Sequence, residues 1–253
     1  MKKLALSIIL VTALAATPAL GNSVTIRVGS FFPSAESDLW QIEFDQMSFA
    51  KSNFQSSAFG FDYEIFFSKN FSLVVGFDSY QKNKAGYYVD YEGISILGQG
   101  VFAVPLDYGG DFDLIHSFRV SVTPMQASLK ITPLGRRSSL IPYVSGGLSL
   151  FLWSVSLDGD IIDFSDEWIL SDPVYGDTEA YGVMPSALSR ESNRLSLGYH
   201  FAGGIQYVVG NRITLQGEVK VFSGTGELTE WLQGFEPFDL SSLFISIGLN
   251  YWF

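Results

Sequence analysis

Few residue types in this chain can do chemistry. Among 253 residues there are two histidines, His116 and His200, and no cysteine, which removes disulfides, thiolate–metal sites and thiol nucleophiles. His116 is followed by Ser117 and preceded by Asp111 and Asp113, so the residue types of a Ser–His–acid arrangement lie close together. In a strand, however, adjacent side chains point to opposite faces, and His116 could share a site with Ser117 only if the chain bends there. The plainer expectation for His116 is a solvated residue at a loop edge. His200 is expected to be a polar interior residue bonded to neighbours such as Gln206 or Glu218. Asp158, Asp160, Asp163, Asp166 and Glu167 place carboxylates close together, and calcium takes roughly six to eight oxygens. Their order departs from Asp-x-Asp-x-Asp-Gly, so a solvated acidic loop is expected, with no metal or cofactor site assigned.

The elements that would position these residues read as strands. Apolar residues alternate with polar or small ones over about 24–32, 56–67, 71–82, 117–131, 140–155, 195–209, 212–222 and 242–253. Most of these runs match the 9–11 residues, roughly, that a tilted strand needs to cross a bilayer. The fourth changes phase: Val120 and Val122 lie on the apolar face before Pro124, whereas Ala127, Leu129 and Ile131 take it afterwards. A β-bulge near Pro124-Met125 would restore the pattern.

The connections alternate between long and short. Those after the first, third, fifth and seventh segments are long, and the others are Ser68–Asn70, Thr132–Ser139 and Gly210-Asn211. Of the 26 acids, all but Asp62, Glu64, Asp78 and Glu218 lie in the long connections, while Lys69, Arg136 and Arg137 lie in the short ones. Aromatics at strand ends (Phe71, Tyr80, Phe118, Tyr143, Trp153, Tyr207, Tyr251 and Trp252) are expected to form interfacial girdles. Long extracellular loops, short periplasmic turns and an even strand count predict an eight-stranded antiparallel up-and-down transmembrane β-barrel.

Met1-Lys2-Lys3, the apolar run Leu4–Leu14 and the small residues of Thr17–Gly21 give the three-part layout of a secretory signal peptide. Residues 1–21 are therefore expected to be removed, leaving a barrel domain over 22–253. The formal charge of −11 argues against nucleic acid as a partner.

The alternation places Arg27, Asp62, Glu64, Asp78, Arg119, Gln126, Lys130, His200, Gln206, Gln216, Glu218 and Lys220 on the inward face. The charges balance, and opposite charges confined in a narrow barrel should pair. Two readings follow: a polar plug that holds the barrel rigid, or a narrow polar conduit. Two loops also carry apolar clusters near helical spacing: Leu39, Trp40, Ile42 and Phe44, and Leu228, Trp231, Leu232 and Phe235. Each predicts a short helix over the barrel mouth, or else a surface for an apolar ligand or partner.

On these features residues 24–253 resemble the small outer-membrane β-barrel superfamily of Gram-negative bacteria, the eight-stranded group that includes OmpA-, OmpX- and OmpW-like proteins. The Pro142–Gly147 strand start contributes, and the last strand contributes most, with Ile247, Leu249, Tyr251 and Phe253 on one face up to the C-terminus. That strand resembles the signal read by the barrel assembly machinery. The resemblance implies a monomer in the outer membrane, in contact with its lipid and lipopolysaccharide, with a structural or surface-interaction role. It also admits a receptor or narrow channel for small solutes, hydrophobic ones included, as for OmpW-like barrels. More distantly it admits a lipid A-modifying enzyme, since some eight-stranded members use a His with a Ser and an acid.

Overall fold

A computed structural model describes residues 21–172, 176–229 and 232–253. The expected signal segment therefore lies almost wholly outside the described residues, and so does Trp231. The strands are β1 (Asn22–Pro33), β2 (Ser56–Phe66), β3 (Phe71–Ile96), β4 (Gly100–Pro105), β5 (Phe112–Ile131), β6 (Leu140–Asp172), β7 (Gly176–Val208), β8 (Ile213–Ser223), β9 (Thr225–Gly226), β10 (Phe238–Asp239) and β11 (Ser242–Trp252). One α-helix, α1, covers Asp38–Gln46.

Every ladder is antiparallel. β1 pairs with β2, β2 with β3, β3 with β5, β5 with β6, β6 with β7, β7 with β8, β8 with β11, and β11 with β1. The backbone groups of each of these strands are thus met on both sides, as a sheet in an apolar medium requires. β4 stands apart, bridging the far ends of β3 and β7. The connections β2–β3, β5–β6 and β7–β8 are short, as expected.

Five expectations need correction. Much of the second and third long connections is strand: β3 runs on to Ile96, and β6 and β7 pair as far as Asp172 and Gly176. These extensions were hidden because their ladder is broken by register shifts and their faces lack a sustained apolar–polar contrast. The acidic residues Asp158 to Glu167 accordingly sit on a hairpin rather than in an irregular loop.

The bulge at Pro124 is absent. Pairing with β3 lapses at Thr123 and Pro124, where proline has no N–H to donate, but resumes in the same register, and pairing with β6 runs unbroken from His116 to Ile131. The even-numbered residues from Leu114 to Lys130 are therefore all buried, and Arg119 is exposed, outside the interior charge network in which the alternation placed it. The apparent phase change arises because the interior itself turns from polar to apolar along the strand.

The girdle assignment fails for Tyr80, Phe118, Tyr143 and Trp153, which lie near strand ends but are buried in the interior. Tyr207, Tyr251 and Phe71 do face outward.

Candidate functional site

The buried face holds two layers. Toward the short connections it is a charged network. Arg27, 1% exposed, is placed by β1 between two carboxylates. Its Nε and Nη2 donate to Asp78 Oδ1 at 3.0 and 2.8 Å, Nη2 donates to Asp62 Oδ1 at 2.9 Å, and Nη1 pairs with Asp62 Oδ2. The second Asp78 oxygen accepts from Gln126 at 2.6 Å and from Lys220 at 3.1 Å. Lys220 also lies 3.2 Å from Glu218, whose other oxygen accepts from the Tyr143 hydroxyl at 2.9 Å. Glu64 accepts from Lys130 at 2.8 Å, from Arg136 at 3.1 Å and from the Ser72 hydroxyl.

The expected charge balance holds with one exchange. Arg136, from the β5–β6 turn, supplies the cation that Arg119 does not, and its guanidinium also lies 4.1 Å above the Phe66 ring. Glycine makes the close packing possible: a Cβ on Gly60 would lie 2.1 Å from Asp78 Oδ1, and one on Gly76 would lie 2.0 Å from Asp62 Oδ1. The cavity left within the network measures about 10 Å³, room for about one water.

His200 is fully buried, but its partners differ from those expected. Its Nε2 lies 2.6 Å from the Ser128 hydroxyl and its Nδ1 2.8 Å from that of Ser149. Gln206 instead donates to Gln216 at 2.9 Å.

Toward the long connections the interior is aromatic. Phe31 stacks on Tyr80 with ring centroids 4.3 Å apart, and Phe151 meets Phe222 edge-on at 6.2 Å. Into this layer α1 inserts Trp40, whose ring contacts Phe118, Phe54 and Phe238 at 5.0, 5.1 and 5.2 Å. Leu39, Trp40 and Glu43 form the buried face of the helix, Glu43 lying four residues after Leu39 and three after Trp40, the separations that put side chains on one side. Leu228 and Leu232 are buried in the same core, with Phe44 and Phe235 packed against it. Of the two expected mouth clusters, the first is the helix foreseen. In the second, Leu232 lies in a 3₁₀ turn and Trp231 lies outside the described residues; its connection is also held by the β9–β10 ladder. Ile42 departs from its cluster, being 38% exposed.

The two connections are clipped together. The Asp38 amide donates to Glu236 at 2.8 Å and the Glu236 amide to Asp38 at 3.0 Å, while Trp40 Nε1 donates to the Asp239 carbonyl at 3.3 Å.

His116 is not solvated, contrary to the plain expectation. It is buried under α1, with Nε2 2.8 Å from Glu43 Oε2 and its ring edge-on to Tyr88 at 5.2 Å. Burial raises the pKa of the Tyr88 phenol above its ordinary value. Ser117, on the opposite face, donates to the Asp158 carbonyl at 3.2 Å, so the two residues share no site. On the outer hairpin the Ser165 hydroxyl and amide hold the Asp163 carboxyl below its ordinary pKa. No group of three or more metal-ligating side chains occurs among the described residues.

The other face of the sheet is apolar. Ile26, Val28, Leu129, Leu148, Leu197, Val219, Ile247 and Leu249 are among the side chains left exposed there, Ile247 at 71%. Charges inside and leucines outside is the reverse of the usual soluble arrangement, and it defines the class by geometry: an all-β antiparallel up-and-down sheet with an apolar exterior and an interior that is charged in one half and aromatic in the other.

No family model and no curated protein matches the sequence. The structure is similar to those of small outer-membrane β-barrel proteins. Neisserial surface protein A aligns with TM-score 0.46 and 13% identity over 92% of this chain and 97% of its own. Outer membrane protein OprG from Pseudomonas aeruginosa aligns with TM-score 0.46 and 13% identity over 93% and 97%. The attachment invasion locus protein Ail of Yersinia pestis aligns with TM-score 0.44 and 10% identity over 92% and 99%.

Proposed function

We propose that the ladders, which return to β1, form a closed eight-stranded barrel in the outer membrane, sealed along its axis, whose role is structural or in surface interaction. The short connections face the periplasm and the tall β3–β4 and β6–β7 extensions stand outside the cell. The observation that carries this reading is the double filling of the interior, with a charge network at one end and an aromatic plug at the other. The exposed leucine band supports the membrane assignment, because in water so much contiguous apolar surface would drive aggregation. Its neighbours there are outer-membrane lipid and lipopolysaccharide. The chain acts as a monomer, and its last strand, with Ile247, Leu249, Tyr251 and Phe253 all exposed on one face, serves as the signal to the assembly machinery. The role is non-enzymatic: His116 is committed to Glu43, and His200, fully buried, to two buried serines.

Single-channel conductance in planar bilayers tests the reading. The wild-type chain is expected to be silent. A variant carrying Lys130→Ala and Glu218→Ala together with Trp40→Ala, which opens both fillings, is expected to conduct. Reproducible, solute-dependent conductance in the wild type would overturn the seal and favour a channel for small solutes.

A further inference from the structure

Resting on the membrane reading above, we propose that the outer face of β7, β8, β11 and β1 holds one net-anionic diacyl phospholipid of the periplasmic leaflet. Two features adjoin there. The first is an apolar groove of about 980 Å³ on the exposed face of these strands. It exists because Gly203 and Gly217, which face outward on neighbouring strands, leave a gap in the leucine band. A Cβ built on either glycine would meet nothing within 4 Å. The walls are ordinary band residues, among them Ile247 and Val28. The second is a hollow of about 490 Å³ that straddles the short-connection rim, lined by Arg136, Arg137 and Arg212, by Val209 and Ile213 of the outer face and by Thr214 of the inner one.

The two lie on one line. Val209 and Ile213 of the rim hollow are the next outward positions after Tyr207 and Leu215 of the groove. From Gly217 back through β8 to Arg212, just before the strand, is five residues, about 17 Å of chain, or about 13 Å of depth at a tilt of about 40°. Half the hydrocarbon core of a bilayer is about 15 Å. An acyl chain anchored at the rim therefore reaches the glycine gap.

Charge selects the headgroup. No acid lies in any of the three short connections. Arg137 is exposed, and Arg212 donates to the Tyr251 hydroxyl at 3.3 Å, which leaves the rest of its guanidinium fork for a phosphate. Arg136, in contrast, is turned inward onto Glu64.

Native mass spectrometry of the exported chain in detergent, titrated with dioleoylphosphatidylglycerol and separately with dioleoylphosphatidylcholine, tests the assignment. One phosphatidylglycerol should be retained about tenfold more strongly than phosphatidylcholine. Gly203→Leu with Gly217→Leu should lower retention of both lipids about fivefold by filling the groove. Arg137→Ala with Arg212→Ala should abolish the preference between them. Equal adducts in all three proteins would mean unselected boundary lipid, and a doubled mass would mean that a second copy occupies the face; either result overturns the proposal. Flotation with liposomes separates the two layers of inference. A chain that fails to float overturns the membrane reading and the lipid site with it, whereas a chain that floats without lipid preference overturns the site alone.

Discussion

The two halves of the interior are hung on the same strands yet answer different problems. In the half near the short connections, Arg27, Asp62, Asp78 and Lys220 come from β1, β2, β3 and β8 and meet at one point, so each strand is tied to others far away in sequence. In the half near the long connections, the filling is brought in by α1 and the β8–β11 connection as well as by the strands, and it packs Trp40 between Phe118 and Phe238. The first is a set of cross-ties within the wall, and the second is a stopper resting in it. Loss of the first should therefore weaken the whole barrel, while loss of the second should release the stopper and leave the wall standing.

The largest effect should come from Asp78→Ala. It leaves Arg27 and Lys220 buried without their shared carboxylate, at a cost of about 3–5 kcal/mol. Urea unfolding in phospholipid vesicles should show this as a loss of global stability, and a further Lys220→Met should recover part of it by removing one stranded charge. A loss under about 1 kcal/mol would mean that the cross-ties are incidental.

Trp40→Ala comes next, removing about 3 kcal/mol of packing from the stopper. Amide exchange over residues 38–46 should then accelerate by about two orders of magnitude, while the urea midpoint of the wall moves little. If the midpoint falls as far as for Asp78→Ala, the two halves are one cooperative unit and the distinction between them fails. His116→Ala should act in the same direction with less force, about 1–3 kcal/mol, because Glu43 is left buried without a partner. Adding Glu43→Leu should restore most of the protection, since the orphaned carboxylate, rather than the lost bond, carries the cost.

The comparison also accounts for what the sequence could and could not show. Where the interior is polar and the outside apolar, alternation gives each residue its face directly, and Arg27, Asp62, Glu64, Asp78, Lys130, Glu218 and Lys220 all lie in the interior, where alternation places them. Where the interior is apolar and the outer face is mostly polar, as from Leu114 to Val122 with Ser117, Arg119 and Ser121 outside, the contrast is inverted. A change of interior chemistry then looks like a change of phase, which is how alternation draws Arg119 inward; Tyr80, Phe118, Tyr143 and Trp153 are misplaced for a different reason, their position near strand ends. Arg136 was hidden for another reason, since a turn residue that reaches back under the sheet has no periodicity to betray it. The pairing of His116 with Glu43 joins residues 73 apart through a helix whose docking no local pattern encodes.

The boundary between the halves can be placed by His200. Its ring is bonded below to the serines of the polar layer and lies 5.9 Å from Phe222 of the aromatic one, so it belongs by contact to both. Ser128→Ala removes one of its two hydroxyl partners and should cost about 1 kcal/mol. If His200 works as a cross-tie, that cost should appear in the urea midpoint, with exchange over residues 38–46 unchanged. If it works as the seat of the stopper, exchange in the helix should rise with the wall unmoved. The first outcome is expected, because both serines stand on wall strands, β5 and β6, and the ring between them spans from β7.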